Sequence, residues 1–122
     1  MNTKSDSFYE QLQSLYYEIT SFYDELNKYQ SHYDKQVSAI YHELEKVELT
    51  HANAYEYALK LQDVLRKRRV VKDELARLQP VYNYINETFN KLQKQIERAI
   101  SSSNKIRKSL NMTLSISEVL KN

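Results

Sequence analysis

The chain has 122 residues with no Gly, no Cys, no Trp and a single Pro, against 11 Tyr. Average usage at this length would give about eight Gly and six Pro, so sandwiches, barrels and doubly wound α/β folds, whose turns and phosphate loops rely on glycine, are excluded. Without cysteine there is no disulfide framework, thiolate metal site or Cys nucleophile, and a formal net charge of +2 is weak for a general nucleic-acid binder.

The polar start, Met1 to Asp6, reads as no signal peptide. No apolar run approaches the roughly 18 residues of a membrane span. The expectation is therefore an all-α, cytoplasmic protein of one helical domain. Its long helices would form a coiled-coil-like hairpin or a three-helix bundle, with a kink or turn at Pro80. The expected elements are a helix over 6–49, a second over 51–79, a third over 80–101 and a short helical segment over 104–121.

Helix one is expected to start at Ser5 or Asp6, either of which can cap. Phe8, Leu12, Leu15, Ile19, Phe22, Leu26, Tyr29 and Tyr33 follow in alternating steps of four and three, a heptad seam. The pattern resumes at Val37, Ile40, Leu44 and Val47. Between the halves, Tyr29, Tyr33 and Val37 step four and four, which reads as a stutter that loosens the supercoil. Tyr9, Tyr16 and Tyr23 recur every seven residues beside the seam, and Tyr41 sits likewise beside Ile40. Tyrosine rings suit interface edges, so this stripe reads as a widened apolar face for a third helix or a second chain. A sticky surface for a foreign protein is the sharper alternative, and base stacking is disfavoured because helix one is acidic.

The best turn between helices one and two is Thr50 to Asn53, with Thr50 as the cap. The second seam runs Tyr57, Leu61, Val64, Arg68, Val71, Leu75, Leu78, Tyr82, Ile85, Phe89, Leu92, Ile96, Ala99, Ser103, Ile106 and Leu110 without a slip. Arg68 stands chemically out of place in it. Pro80 either kinks the helix or opens a third one. Ser101 to Asn104 reads as a break, and Ser115 to Glu118 as a capping box before a last short turn.

Charge is unevenly spread. Residues 1–50 carry four Lys against nine acids, residues 51–79 seven Lys or Arg against four, and residues 80–122 seven against three. An acidic helix packing beside basic ones accounts for this; a basic face for nucleic acid or phosphate is the alternative. Lys91, Lys94, Arg98, Lys105, Arg107 and Lys108 would carry the nucleic-acid reading, which ranks last because no reading motif accompanies them.

A hairpin about the 50–53 turn pairs residues whose numbers sum to roughly 102, which brings Arg68 to Asp34 and to the stutter at Tyr33. A reversal at Pro80 would bring Asn90 in from a third side. Tyr33, Asp34, Arg68, Arg69, Lys72 and Asn90 are therefore the candidate ligand-binding set, a polar pocket inside an apolar bundle. Arg68 and Asp34 as a structural ion pair that sets register, or a site for an anionic small ligand such as a nucleotide phosphate, are the two readings of it. Asp63 with Lys67 and Arg69 with Asp73 are placed to pair along the helix, leaving Arg66 and Arg77 solvated.

Catalytic furniture is missing. Gly-rich phosphate loops are impossible here, and His32, His42 and His51 lack the spacing of a paired-His metal motif. No enzyme, cofactor or metal is expected. A helix over 6–49 would be about 65 Å long, against about 30–40 Å for a compact monomer of this size. Its seam therefore calls for a homo-oligomer, with a dimer favoured. The leading functional expectation is a non-enzymatic, self-associating helical binding protein that grips a protein partner. It would act as an adaptor or inhibitor, comparable in size and composition to the short antagonists phages direct at host systems. Sequestration of a phosphate-bearing ligand around Arg68 is the alternative.

Overall fold

A computed structural model describes residues 3–111 and 113–121; Met1 and Asn2 of the polar start lie outside the described residues. Three helices follow in order, α1 (Lys4–Lys46), α2 (His51–Leu110) and α3 (Ile116–Val119), with no strand among the described residues. The all-α expectation holds. α1 and α2 pack on each other as a hairpin, and no helix is long and apolar enough to cross a membrane.

The helix starts are chemically defined. The amide of Thr3 donates to the Asp6 carboxylate at 3.1 Å, and the amide of Asp6 donates to the Thr3 hydroxyl at 3.1 Å. This reciprocal capping box puts the N-cap at Thr3 rather than at Ser5 or Asp6. The Thr3 amide, helped by the Thr3 side chain, holds the Asp6 carboxyl below its usual value of 3.8. A depressed carboxyl contributes stability above that usual value and loses it as pH falls through the lowered one. Protection of the first-turn amides of α1, relative to the unstructured chain at the same pH, should therefore fall only below about pH 4, and Asp6→Asn should remove that pH dependence. Thr50 caps α2 as the sequence suggests: its amide donates to Asn53 Oδ1 at 2.6 Å, and the Asn53 amide donates to the Thr50 hydroxyl at 3.2 Å. Thr50→Ala should lower stability by about 1 kcal/mol in a denaturant titration.

The helix ends depart from expectation. α1 stops at Lys46, so the connection is Val47 to Thr50 rather than a turn at 50–53. α2 runs through Pro80 without a break, so no separate third helix opens there and the hairpin form holds over the three-helix one. It also runs through Ser101, Ser102 and Ser103, because three consecutive serines carry only weak individual penalties. α2 ends one residue before Asn111, which has φ of 50°. Asn is the usual non-glycine choice for this left-handed stop, and a chain without glycine has few others. At Ser115 the hydroxyl accepts from the Glu118 amide and caps α3.

Two compact units are present, one built from residues 1–19 and 83–122, the other from residues 20–82. In the 20–82 unit Val37, Ile40 and Val64 form a buried cluster, with Tyr33, Leu44, Tyr57 and Leu61 packed around it. Leu26 is buried in the same unit, and the ring of Tyr23 stacks on Tyr82 with centroids 3.7 Å apart. In the other unit Phe89 is the one buried hydrophobic among the described residues. Its ring lies parallel to that of Tyr16 at 4.1 Å, and Tyr9 donates to Glu97 at 3.3 Å.

The stacked tyrosines overturn the expected seam of α1. The residues turned toward α2 are Tyr9, Tyr16, Ile19, Tyr23, Leu26, Gln30, Tyr33, Val37, Ile40, Leu44 and Val47, all buried or half-buried. With Leu12 they step in threes and fours without a slip, so there is no stutter. The two registers share Leu12, Ile19, Leu26 and Tyr33. The tyrosine register prevails because it alone stays in phase with Val37 to Val47, at the expense of one polar seam position, Gln30. The alternative, with Phe8, Leu15, Phe22 and Tyr29 inward, would require the helix to be unwound by a stutter. On α2 the seam is as expected from Tyr57 to Phe89. Beyond Phe89 the half-buried positions are Gln93, Ile96, Ile100 and Arg107, so Leu92, Ala99 and Ile106 turn outward.

Candidate functional site

The Arg68 segment is the first candidate. Arg68 Nε lies 2.6 Å from Asp34 Oδ1, which is the pairing the hairpin arithmetic anticipates. Both side chains keep access to water, at 32% and 44% exposure. Neither is buried, and no polar or charged residue is buried among the described residues. The expected polar pocket inside the bundle is therefore an open hollow on one face of α2. Its volume is about 500 Å³ and its lining is Ala58, Leu61, Gln62, Leu65, Arg66, Arg68, Arg69 and Lys72.

Of the six candidate residues, three cations (Arg68, Arg69 and Lys72) share this hollow. Asp34 reaches the set only through its bond to Arg68. Tyr33 does not line the hollow; it packs on the Val37–Ile40–Val64 cluster, with its ring edge on His32 at 5.2 Å. Asn90 lies further along the same helix, in the other unit, and with no reversal at Pro80 nothing brings it back toward Arg68. Arg66 is exposed, as read from the sequence, and also lines the hollow. Its signal was available, since residues 66 and 69 stand one helical turn apart.

The ion pairs along α2 are partly as expected. Lys67 lies 2.9 Å from Asp63, and that carboxylate raises the Lys67 ammonium above its ordinary value. Asp73 takes Arg77 at 3.4 Å rather than Arg69. Among the described residues, Arg69 and Lys72 make no ion pair. An apolar floor of Ala58, Leu61 and Leu65 under unpaired cations suits an anion that also carries a flat or apolar part. Arg68→Leu removes a partly solvated pair and should cost no more than about 1 kcal/mol on thermal melting; a much larger loss would mark the pair as a stability element.

The second candidate is the outward stripe of α1. Phe8, Leu15, Phe22 and Tyr29 recur every seven residues and are 59%, 49%, 40% and 47% exposed. Because α1 carries two overlapping heptads, it has two apolar faces over residues 8–29, and α2 of its own chain covers one. In the unit of residues 1–19 and 83–122, α2 repeats the arrangement with exposed Leu92, Ala99 and Ile106, again every seven residues. Phe8 and Leu12 of α1 and Ile96, Ala99 and Ile100 of α2 line one groove of about 500 Å³, so the two outward stripes share a side. No group of His, Cys, Asp and Glu suited to a metal ion occurs among the described residues.

Comparison of the chain with protein-family models, with curated proteins and with solved structures gives no match.

Proposed function

We propose that this chain is a non-enzymatic, self-associating helical binding protein that acts by gripping another protein through the part of its outward apolar face at Phe22 and Tyr29. The observation that carries the reading is unburied apolar surface in regular array. Phe8, Leu15, Phe22 and Tyr29, one every seven residues along α1, are 59%, 49%, 40% and 47% exposed. Scattered exposed hydrophobics are ordinary, but contiguous ones on a helical repeat mark association surfaces.

Paired baits test the partner arm. The wild-type chain and Phe22→Glu are immobilised side by side in a native extract. A stoichiometric protein retained by the first and lost from the second supports the reading. A column that returns only the chain itself from the extract overturns it.

A second reading rests on the hollow at Arg66, Arg68, Arg69 and Lys72: a site for a phosphate-bearing small ligand. Three of its cations, Arg66, Arg69 and Lys72, make no ion pair within the described residues, and its floor is apolar. A nucleotide present at 100 times its dissociation constant should add about 2.7 kcal/mol of stability. Absence of any thermal shift with a panel of nucleotides and inorganic phosphate removes this reading.

A further inference from the structure

We infer that the shared outward face of α1 and α2 in the unit of residues 1–19 and 83–122 is a homodimer interface, in which each α1 lies antiparallel over the α2 of a second copy. The inference rests on the self-association proposed above and specifies its surface and arrangement.

The geometry of this unit supplies half of a four-helix bundle. Tyr16, Phe89 and the Tyr9–Glu97 hydrogen bond hold α1 and α2 side by side. On one side of that pair Phe8 and Leu12 meet Ile96, Ala99 and Ile100 across an open groove, Leu15 and Leu92 are exposed in the same unit, and Ile106 and Ala99 line a hollow beside Leu114, Ile116 and Val119 of the chain's own C-terminal segment. A two-helix layer with one apolar side is complete when a second two-helix layer covers it.

Charge selects both the occupant and the orientation. Residues 3–19 of α1 carry Asp6, Glu10 and Glu18 against Lys4. Residues 83–110 of α2 carry Lys91, Lys94, Arg98, Lys105, Arg107 and Lys108 against Glu87 and Glu97. A second copy therefore brings an acidic helix for the basic one and a basic helix for the acidic one. Two-fold axes come in two kinds here. An axis across the helices stacks α1 on α1 and α2 on α2, like charge on like. An axis parallel to the helices stacks α1 on the second copy's α2, opposite charges facing and every neighbouring pair antiparallel. The second arrangement is the one favoured. Within a chain, contacting residues in this unit add to 105 for Tyr16 with Phe89 and to 106 for Tyr9 with Glu97. The parallel axis preserves those heights, so Leu12 of one copy faces Leu92 of the other.

Light scattering coupled to gel filtration, followed by cross-linking, tests this. The wild-type chain should run at twice 14.6 kDa. Leu15→Glu and, on the other helix, Ile106→Glu should each raise the dimer dissociation constant about 30-fold or more. Their circular dichroism should be unchanged, since both side chains already face water in one chain. Val70→Glu, exposed in the other unit, should leave the dimer intact. Mixed Leu12→Cys and Leu92→Cys chains should oxidise to a covalent heterodimer, and neither alone should cross-link efficiently. A wild-type chain that stays at 14.6 kDa at about 100 μM, far above the dissociation constant of a stable dimer, overturns the inference and the self-association together. A dimer that survives Leu15→Glu and Ile106→Glu, or that Val70→Glu breaks, overturns this surface while self-association stands. Cross-linking of Leu12→Cys to itself overturns the orientation.

Discussion

Phe89→Ala should be among the most destabilising single changes in the chain, costing about 3 kcal/mol in a urea titration. Phe89 is buried at 7% exposure, alone in its unit among the described residues, and its ring lies within 3° of parallel to that of Tyr16. Truncation removes both the buried area and the ring contact. The value belongs at the low end of the range for Phe→Ala because the site lies between two helices rather than in a closed core, where water can fill what the ring leaves. A paired comparison makes the same point about register. At dilutions where the chain is monomeric, Tyr16→Ala should cost about 2 kcal/mol and its sequence neighbour Leu15→Ala less than about 1 kcal/mol. Equal costs at the two positions would mean that the aliphatic register, not the tyrosine one, faces α2.

Pro80→Ala should work in the opposite direction and stabilise the chain by about 2 kcal/mol. Pro80 is inside α2 and exposed, so alanine sacrifices no packing. It restores an amide that can donate to the carbonyl of Ala76, one turn back, and removes the ring's clash with that turn. The full helix-interior penalty of proline is about 3 kcal/mol. Proline also restricts the unfolded chain, which offsets part of the gain by about 0.4–1 kcal/mol. A rise in Tm of roughly 8 °C is the expected readout for a chain of this size. No change in Tm would show that α2 is already interrupted at this point in solution.

Pro80 also shows why the sequence could pose a question without answering it. A proline between Leu78 and Tyr82 is compatible with a helix start, a kink or a continuous helix. The heptad continuing in phase on both sides, from Leu75 to Ile85, was the signal that α2 does not reverse. That signal was legible but not decisive, because a tight turn can preserve phase. The caps divide in the same way. Thr50 and Ser115 are readable as N-caps, whereas the Thr3–Asp6 box does not stand out from Ser5 and Asp6, since the six consecutive polar residues from Asn2 to Ser7 offer several caps.

The candidate site was partly legible. The Arg68–Asp34 pair followed from hairpin arithmetic alone, because antiparallel neighbours on a short connection have a nearly constant sum of residue numbers. That constancy also has a limit within one unit: the numbers add to 102 for Asp34 with Arg68 and to 105 for Tyr23 with Tyr82. Arg69 and Lys72 joined the hollow because they share the helix face of Arg68. Tyr33 and Asn90 did not, one because its ring belongs to the core cluster, the other because its placement depended on a reversal that α2 does not make.

Composition and periodicity were sufficient for the fold class. A chain with no glycine and unbroken steps of three and four has little choice but long helices, and the turn signal at Thr50, which caps α2, makes them a hairpin. What periodicity left open was which of two interleaved heptads on α1 turns inward, because Phe8, Leu15 and Phe22 are as apolar as Tyr9, Tyr16 and Tyr23 are aromatic, and both sets recur every seven residues. Only the packed pair of helices decides between them. Stacking at Tyr16–Phe89 and Tyr23–Tyr82, and phase with Val37 to Val47, place the tyrosines inside, and the aliphatic stripe is left on the surface, where burial depends on a second molecule.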